Sequence, residues 1–127
     1  MTQNEKDLLL KDLCARLPYG VKVLCLRDFN HTCYNLKMID IEDNEVYLTI
    51  DEPYTNRYAE IKTIKPYLFP LSSMTEEQNL EYLQTCMGGN SYVPTSASFD
   101  WCDKNHFDYR GLIPMGLAID ATCKNIY

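Results

Sequence analysis

The segment YNLKMIDIEDNEVYLTI, residues 34–50, has two strand-like ends separated by a short polar stretch. Its two ends, residues 34–41 and 45–50, are rich in β-branched and aromatic residues, and apolar residues alternate through VYLTI. The triplet EDN between them contains turn-forming residues. The segment therefore predicts an antiparallel β-hairpin.

The same type of pattern continues on both sides of this hairpin. VKVLCL, residues 21–26, predicts a strand before it, joined through the turn residues DFNHT. A further short strand is expected around residues 58–64, after which Pro66 and Pro70 are expected to prevent regular pairing. Short strands at this spacing indicate a small, strongly bent antiparallel sheet over residues 20–65, with an SH3-like barrel as one form of it.

Helices are predicted on either side of the sheet. Thr2 and Glu5 have the spacing of a capping box, and the helix that they begin ends at Pro18. Leu9, Leu13 and Arg16 lie at helical spacing within it.

Two shorter helices follow the sheet. The first, over residues 76–87, begins with a capping box of Thr75 and Gln78, buries a stripe that includes Leu80 and Met87, and ends at Gly88-Gly89. The second is expected over residues 98–106, with Ser98 as its N-cap. The fold class is α+β, and residues 1–127 are expected to form one domain.

The termini and the cysteines indicate a cytoplasmic protein. The N-terminal sequence MTQNEKDLLL lacks the features of a signal peptide, and no apolar run is long enough to cross a membrane. The six cysteines are scattered and include no Cys-x-x-Cys motif. We therefore expect free thiols and a bacterial cytoplasmic location.

The charge restricts the class of partner. The net charge is −6, which weighs against nucleic acid because phosphate binding requires a basic face. Residues 40–60 contain seven carboxylates and a single basic residue, Arg57. A partner is therefore expected either to be basic where it approaches this region or to avoid the region.

Three stretches resemble a known group of proteins. They are KDLCARLPYGVKV at residues 11–23, IKPYLFPLSSMTEE at 64–77 and SFDWCDKNHFDYRGLIPMGLAIDA at 98–121. In this order they are similar to a family of small proteins encoded by phages, prophages and other mobile elements of gut Bacteroidales. The resemblance implies a small accessory protein that acts in the bacterial host cytoplasm, and it implies no particular chemistry. This chain has Pro114 where members of that family often have a charged residue.

The candidates for a metal site are few. Asp100, Asp103 and His106 recur every three residues, which places them near one face of a helix. Carboxylate and imidazole groups can hold Zn²⁺ or Mn²⁺, but these residues also have favourable charges for the two ends of a helix. His31 and Cys33 form half of another candidate site without a second half nearby. No metal and no cofactor is predicted.

Aromatic residues beside arginines are the stronger signal. Tyr54 and Tyr58 flank Arg57, while Tyr109 precedes Arg110 at a turn near the C-terminus. Tyrosine and arginine are enriched in binding hot spots, so these five residues are the predicted binding residues. Tyr109 and Arg110 are expected to point outward.

The remainder of the C-terminal segment is expected to close the core. Leu112, Ile113, Leu117 and Ile119 are predicted to point inward, with glycines at the turns between them.

Three functional hypotheses follow from these observations. The first is non-catalytic binding to a host protein, in a counter-defence or host-takeover role. The second is sequestration of a small nucleotide immune signal in a pocket shared by Arg57 and Arg110. The third is metal-dependent hydrolysis at Asp100, Asp103 and His106, and enzymatic activity is the less favoured class overall.

Overall fold

The computed structural model describes residues 1–28, 32–50, 55–87 and 92–127. Three α-helices and seven β-strands occur in these ranges. In chain order the elements are α1 (Gln3–Arg16), β1 (Lys22–Cys25), β2 (Cys33–Asp40), β3 (Glu45–Ile50), β4 (Thr55–Glu60), β5 (Ile64–Pro70), α2 (Glu76–Gln84), α3 (Ser96–Lys104), β6 (Phe107–Asp108) and β7 (Ile119–Asp120).

The strands form one sheet in the order β4-β3-β2-β1-β5-β6, with β7 beside β5. All pairs from β4 to β5 are antiparallel, and only the two-residue strands β6 and β7 pair in parallel. This confirms the predicted α+β class, with an N-terminal helix, a small antiparallel sheet and short helices after it. The barrel form is wrong, because the described strands make an open path that does not close.

The sheet is strongly bent, as its connections require. In a flat sheet β4 and β5 would be about 19 Å apart, since neighbouring strands are about 4.8 Å apart. They are joined only by the 3₁₀ turn Ile61–Thr63, and such a turn advances about 2 Å per residue. The sheet therefore curls until the end of β4 approaches the start of β5. At this point the N–H of Leu26 donates to the carbonyl of Thr63 at 2.7 Å.

Strand β5 contains both prolines that we expected to prevent pairing, so that prediction was wrong. Pro66 is the last residue that pairs with β1, and Pro70 is the last that pairs with β6. Proline is tolerated at these places because a missing N–H at the end of a ladder removes no interior hydrogen bond.

Helix α1 covers the inner face of the sheet. Its Leu9 and Leu13 are fully buried, and they join a cluster with inner-face residues of β1 to β5. The capping box of Thr2 and Glu5 is present at its start, as predicted. The cluster also contains Val23, Leu36, Val46, Leu48, Ile64, Leu68, Leu112 and Leu117.

The C-terminal segment, residues 119–127, covers part of the outer face. Ala121 forms a second, smaller cluster with Leu24 of β1 and Tyr67 of β5. The hydroxyl of Tyr127 donates to the carbonyl of Tyr67 at 2.8 Å and accepts from the N–H of Lys22 at 2.9 Å. These contacts fasten the end of the chain over β1 and β5.

Helix α2 differs from its prediction. It has the expected capping box of Thr75 and Gln78, but it ends at Gln84 and contains no buried residue. Leu80 and Met87 are exposed, so the predicted apolar stripe is not covered by the described residues. Gly88-Gly89, the predicted end of this helix, lies outside the described residues.

Helix α3 begins two residues before the predicted position. Its N-cap is Thr95, and Ser98 is the third residue of the helix, with its hydroxyl accepting the N–H of Thr95 at 2.9 Å. The N-cap is therefore three residues earlier than predicted, and Ser98 is the residue of the capping box that bonds back to the N-cap backbone.

The segment after β6 packs against the core as expected. Leu112 and Leu117 are buried, Ile113 packs partly against the main cluster, and Ile119 packs against the second one. Gly111 and Gly116 have φ values of 79° and 76°, which only glycine adopts without strain.

All six cysteines are free thiols. Across the described ranges, no helix combines the length and the apolar composition that crossing a membrane requires.

Candidate binding surface

A β-bulge in β2 determines which side chains reach the outer face. Leu36 pairs with Leu48 and Met38 pairs with Tyr47, so the register shifts by one residue at Lys37. Regular alternation would place Leu36 and Met38 on the same face. Because of the extra residue, Ile39 packs towards the core and Met38 is 62% exposed on the opposite side.

The bulge brings three large side chains into line across the outer face. Met38, Tyr47 and Tyr58 are direct neighbours on β2, β3 and β4, and we call them the outer row. The rings of Tyr47 and Tyr58 lie 5.0 Å apart between centroids and are tilted by 48°. Tyr58 is 69% exposed. Tyr47 is partly buried between its two exposed neighbours, so the three side chains form one contiguous patch of the kind that marks interaction surfaces.

Three carboxylates lie beside the outer row. Asp40, Glu45 and Glu60 are directly opposed on the same three strands, two residues along each strand from the outer row, and we call them the acidic row. The β-carbons of directly opposed residues are about 4.5–5.5 Å apart, and like charges in such pairs are destabilising. The three carboxylates of the acidic row therefore repel one another at the protein surface.

Few groups in the described part of the chain offset this repulsion. Lys62 forms an ion pair of 3.2 Å with Glu60, and both side chains are about half exposed. The carboxylate of Asp40 accepts the backbone N–H groups of Glu42 and Asp43. Glu45 makes no ion pair with any described lysine or arginine. A cation from another molecule would be favoured here.

Two cavities border the acidic row. A cavity of about 270 Å³ lies between the start of α1 and the β2–β3 turn, and Glu60 and Lys62 are among its lining residues. A second cavity, of about 190 Å³, lies along β4 and is lined in part by Glu45, Tyr58 and Glu60. The surface is therefore not flat, and side chains of a partner have recesses to enter at both sides of Glu60.

Arg57 belongs to neither row, although it lines the cavity along β4 together with its neighbour Tyr58. Arg57 is opposite Leu48 and points to the inner face, where it forms an ion pair with Asp28. The hydroxyl of Tyr34 donates to the other oxygen of the same carboxylate. The pKa of Tyr34 is raised by burial and by this hydrogen bond, so the hydroxyl keeps its proton. Arg57 thus connects β4 to the end of β1. Tyr54, the other predicted neighbour, lies outside the described residues.

The outward orientation predicted for Arg110 was wrong. Its guanidinium donates to Asp12 Oδ1 at 2.8 Å, and its side chain is only 14% exposed. The second oxygen of Asp12 accepts from Arg16 at 2.8 Å, and both Asp12 and Arg16 are fully buried. Arg16 also donates to the carbonyl of Phe107 at 2.7 Å. This buried cluster joins α1 to the C-terminal part of the chain.

Tyr109 belongs to the same buried cluster. Its ring lies 4.4 Å from the guanidinium carbon of Arg110 and 5.6 Å from that of Arg16. Burial, followed by a hydrogen bond with Asp103, raises the pKa of Tyr109. Tyr109 is therefore half-buried and neutral, and it was also wrongly expected to point outward.

The arginines proposed for nucleotide binding are not brought together. Arg57 lines the cavity along β4, and Arg110 lines neither of the two cavities. Each guanidinium is already paired with an aspartate of this chain, Arg57 with Asp28 and Arg110 with Asp12. A phosphate would have to displace those carboxylates.

The three metal candidates also have separate surroundings. Asp100 is exposed, while Asp103 lies 3.7 Å from Arg110 and 4.0 Å from Arg16. The ring of His106 stacks on Tyr127 at 3.5 Å, and burial lowers its pKa to about 4. Within the described ranges, no three His, Cys, Asp or Glu residues are arranged to hold a metal. His31, from the second candidate pair, lies outside those ranges.

Sequence reasoning found Tyr58 but missed Met38 and Tyr47 as members of the same surface. It identified the acidic character of residues 40–60 without the register that aligns Asp40, Glu45 and Glu60. The signal available was the hairpin itself, since residues equidistant from its turn face one another. The bulge at Lys37 has no such signal, and it decides the orientation of Met38.

Comparison of the chain with known protein families, proteins and structures finds no match. The chain matches no family model, and no curated protein and no solved structure is significantly similar to it.

Proposed function

We propose that this chain is an accessory protein of a phage or mobile element that acts by non-catalytic binding to a host protein, in a counter-defence or host-takeover role. The binding surface is the outer row of Met38, Tyr47 and Tyr58 together with the acidic row beside it. The biological context rests on the resemblance of residues 11–23, 64–77 and 98–121 to proteins of gut Bacteroidales elements.

One observation carries the proposal. The C-terminal segment covers the outer face over β1 and β5, whereas Met38 and Tyr58, on β2 and β4, remain 62% and 69% exposed. Tyrosine and methionine are enriched in the centres of protein interfaces relative to other surfaces. Exposed side chains of this composition on β2 and β4 are suited to a protein partner. Thr49, two residues from Tyr47 on the same face of β3, is buried and is not part of this surface.

The buried polar groups support a binding role over a catalytic one. Asp12 and Asp103 together balance the charges of Arg16 and Arg110. Asp28 is paired with Arg57. The Cys102 thiol has its pKa raised to about 11 by burial, which leaves it protonated and weakly nucleophilic. These groups hold elements of the fold together, and none of them faces the outer row.

Site-specific photocrosslinking tests this proposal. The purified full chain, with a photoreactive phenylalanine analogue at position 58 or at position 92, is irradiated in an extract of Bacteroidales host cells. Tyr58 and Tyr92 are both exposed tyrosines, at 69% and 58%, but Tyr92 is not in a strand and precedes Val93, which pairs with Met87 after α2. We expect a discrete adduct from position 58 that Met38→Ala weakens and that position 92 does not form.

The two positions give a clear alternative outcome. Adducts of equal yield and identity from both positions would show that the outer row has no preferred partner, which would overturn the proposal. Adducts from position 92 alone would move the binding surface to the region of α2 and overturn the proposal.

A further inference from the structure

We infer that the partner presents a basic segment, whose lysine or arginine side chains lie over Tyr47 and Tyr58 and pair with Asp40, Glu45 and Glu60. This inference rests on the proposed function and assigns the chemistry of the partner. It follows from the juxtaposition of the outer row and the acidic row on the outer face of β2, β3 and β4.

Charge complementarity is the first argument. The three carboxylates of the acidic row are aligned by strand register, so their fields add at the same place. Lys62 is the one cation within the described ranges that forms an ion pair with the row, and it contacts only Glu60. A partner's cation between Glu45 and its neighbours would remove the repulsion that the fold leaves in place.

The neighbouring rings supply the second argument. A lysine or arginine attracted to the acidic row has Tyr47 and Tyr58 two residues away along the strands. The face of a tyrosine ring attracts a cation, and the aliphatic part of the same side chain packs on apolar surface such as Met38. Arginine gains most from this arrangement, since its planar group both stacks and pairs with carboxylates.

Two other occupants fit less well. Nucleic acid would bring phosphates to the acidic row, on a chain whose net charge is already −6. A second copy of this chain would bring the same net charge and the same acidic row to the contact. A basic protein segment alone relieves the repulsion.

The experiment uses the full chain and a short synthetic peptide with arginine at alternate positions, together with its counterpart in which glutamine replaces each arginine. Affinities are measured by calorimetry at low and at physiological salt. The test variant is Glu45→Gln with Glu60→Gln. The matched control is Glu77→Gln with Glu81→Gln, which removes the same charge from exposed positions on α2.

We expect the arginine peptide to bind and the glutamine peptide not to bind. Each carboxylate removed from the acidic row should weaken binding about two- to fivefold, and the α2 control should have little effect. The position-58 crosslink to the host protein should decrease in the same test variant. Equal weakening by both double variants would show that only net charge matters, which would overturn the inference.

The same measurements separate this inference from the proposed function. A position-58 crosslink that persists undiminished in Glu45→Gln with Glu60→Gln would leave a binding protein whose partner is not basic. If position 58 forms no more adduct than position 92, in the parent chain and in every variant, the outer row is not the binding surface. The inference about a basic partner then fails with it. Thermal melting of each variant confirms that the folded chain is being compared.

Discussion

Replacing Arg110 by alanine should destabilise the protein even though arginine at a surface turn is usually replaceable. Arg110 donates to Oδ1 of Asp12 at 2.8 Å, and the side chain of Asp12 is fully buried. Asp12 keeps its other hydrogen bond, from Arg16 at 2.8 Å, so it is not left as an isolated charge. The loss is therefore smaller than the roughly 3–5 kcal/mol of a fully broken buried pair.

The magnitude follows from the two contacts that Arg110 makes. A hydrogen bond to a charged group contributes about 1.5–3 kcal/mol, and the stacking of the guanidinium on Tyr109 adds about 0.5–1 kcal/mol. We expect Arg110→Ala to lower the free energy of unfolding by about 2–4 kcal/mol. For a chain of this length the melting temperature should fall by roughly 6–15 °C.

Urea denaturation followed by the fluorescence of Trp101 measures this effect close to the buried cluster, since Trp101 stacks on Phe107 with ring centroids 5.4 Å apart. The control is Arg27→Ala, at an exposed position without an ion pair among the described residues, which should change stability by less than about 0.5 kcal/mol. If both variants unfold at the same urea concentration as the parent chain, the Asp12–Arg110 pair does not stabilise the fold as argued here.

Three further outcomes are expected. Glu45→Gln should raise the free energy of unfolding by about 0.2–1 kcal/mol while weakening partner binding, and a loss of stability in urea titration would contradict the repulsion within the acidic row. Leu117→Ala should cost about 2–5 kcal/mol, because this side chain is only 4% exposed; a cost below about 1 kcal/mol in the same titration would place it outside the core. Burial, and then the charges of Arg16 and Lys22, lower the pKa of His106 to about 4 in the folded chain. The unfolded chain therefore takes up this proton at a higher pH than the folded chain, so the free energy of unfolding should fall as the pH is lowered from about 6.5 towards 4. His106→Asn should remove this part of the pH dependence of the melting temperature, and its persistence in that variant would assign the effect to another group.

The sequence predicted the elements of the fold better than their environment. The hairpin at residues 34–50 and both capping boxes at Thr2 and Thr75 depend on local chemistry, and they formed as expected. The prediction that Pro66 and Pro70 prevent strand pairing was wrong because a strand tolerates proline at the end of a hydrogen-bonded ladder. Where the ladders end is a property of the whole sheet.

The site was harder to predict because its determinants are contacts between distant residues. Arg16 is on the core-facing side of α1, at helical spacing from Leu9 and Leu13, and a buried arginine requires a buried partner. One partner, Asp12, is a turn earlier in the helix, but Arg110 arrives from a position 98 residues along the chain. No local pattern could therefore distinguish an inward Arg110 from an outward one.

The sequence predicted only one member of the outer row, Tyr58, for a related reason. Alternation along β2 assigns Met38 to the same face as Leu36, and the bulge at Lys37 reverses that assignment. Tyr58 was identified from its neighbour Arg57, yet the two side chains point to opposite faces of β4. The residue was correct, but the grouping that suggested it was not.

The most direct measurement of the binding surface is the change in backbone amide NMR shifts when the full chain is titrated with the arginine peptide. We expect the largest changes at residues of the outer and acidic rows, on β2, β3 and β4, and small changes at the C-terminal segment that covers β1 and β5. Largest changes on α2 or on the C-terminal segment would contradict the assignment of the binding surface to the outer and acidic rows.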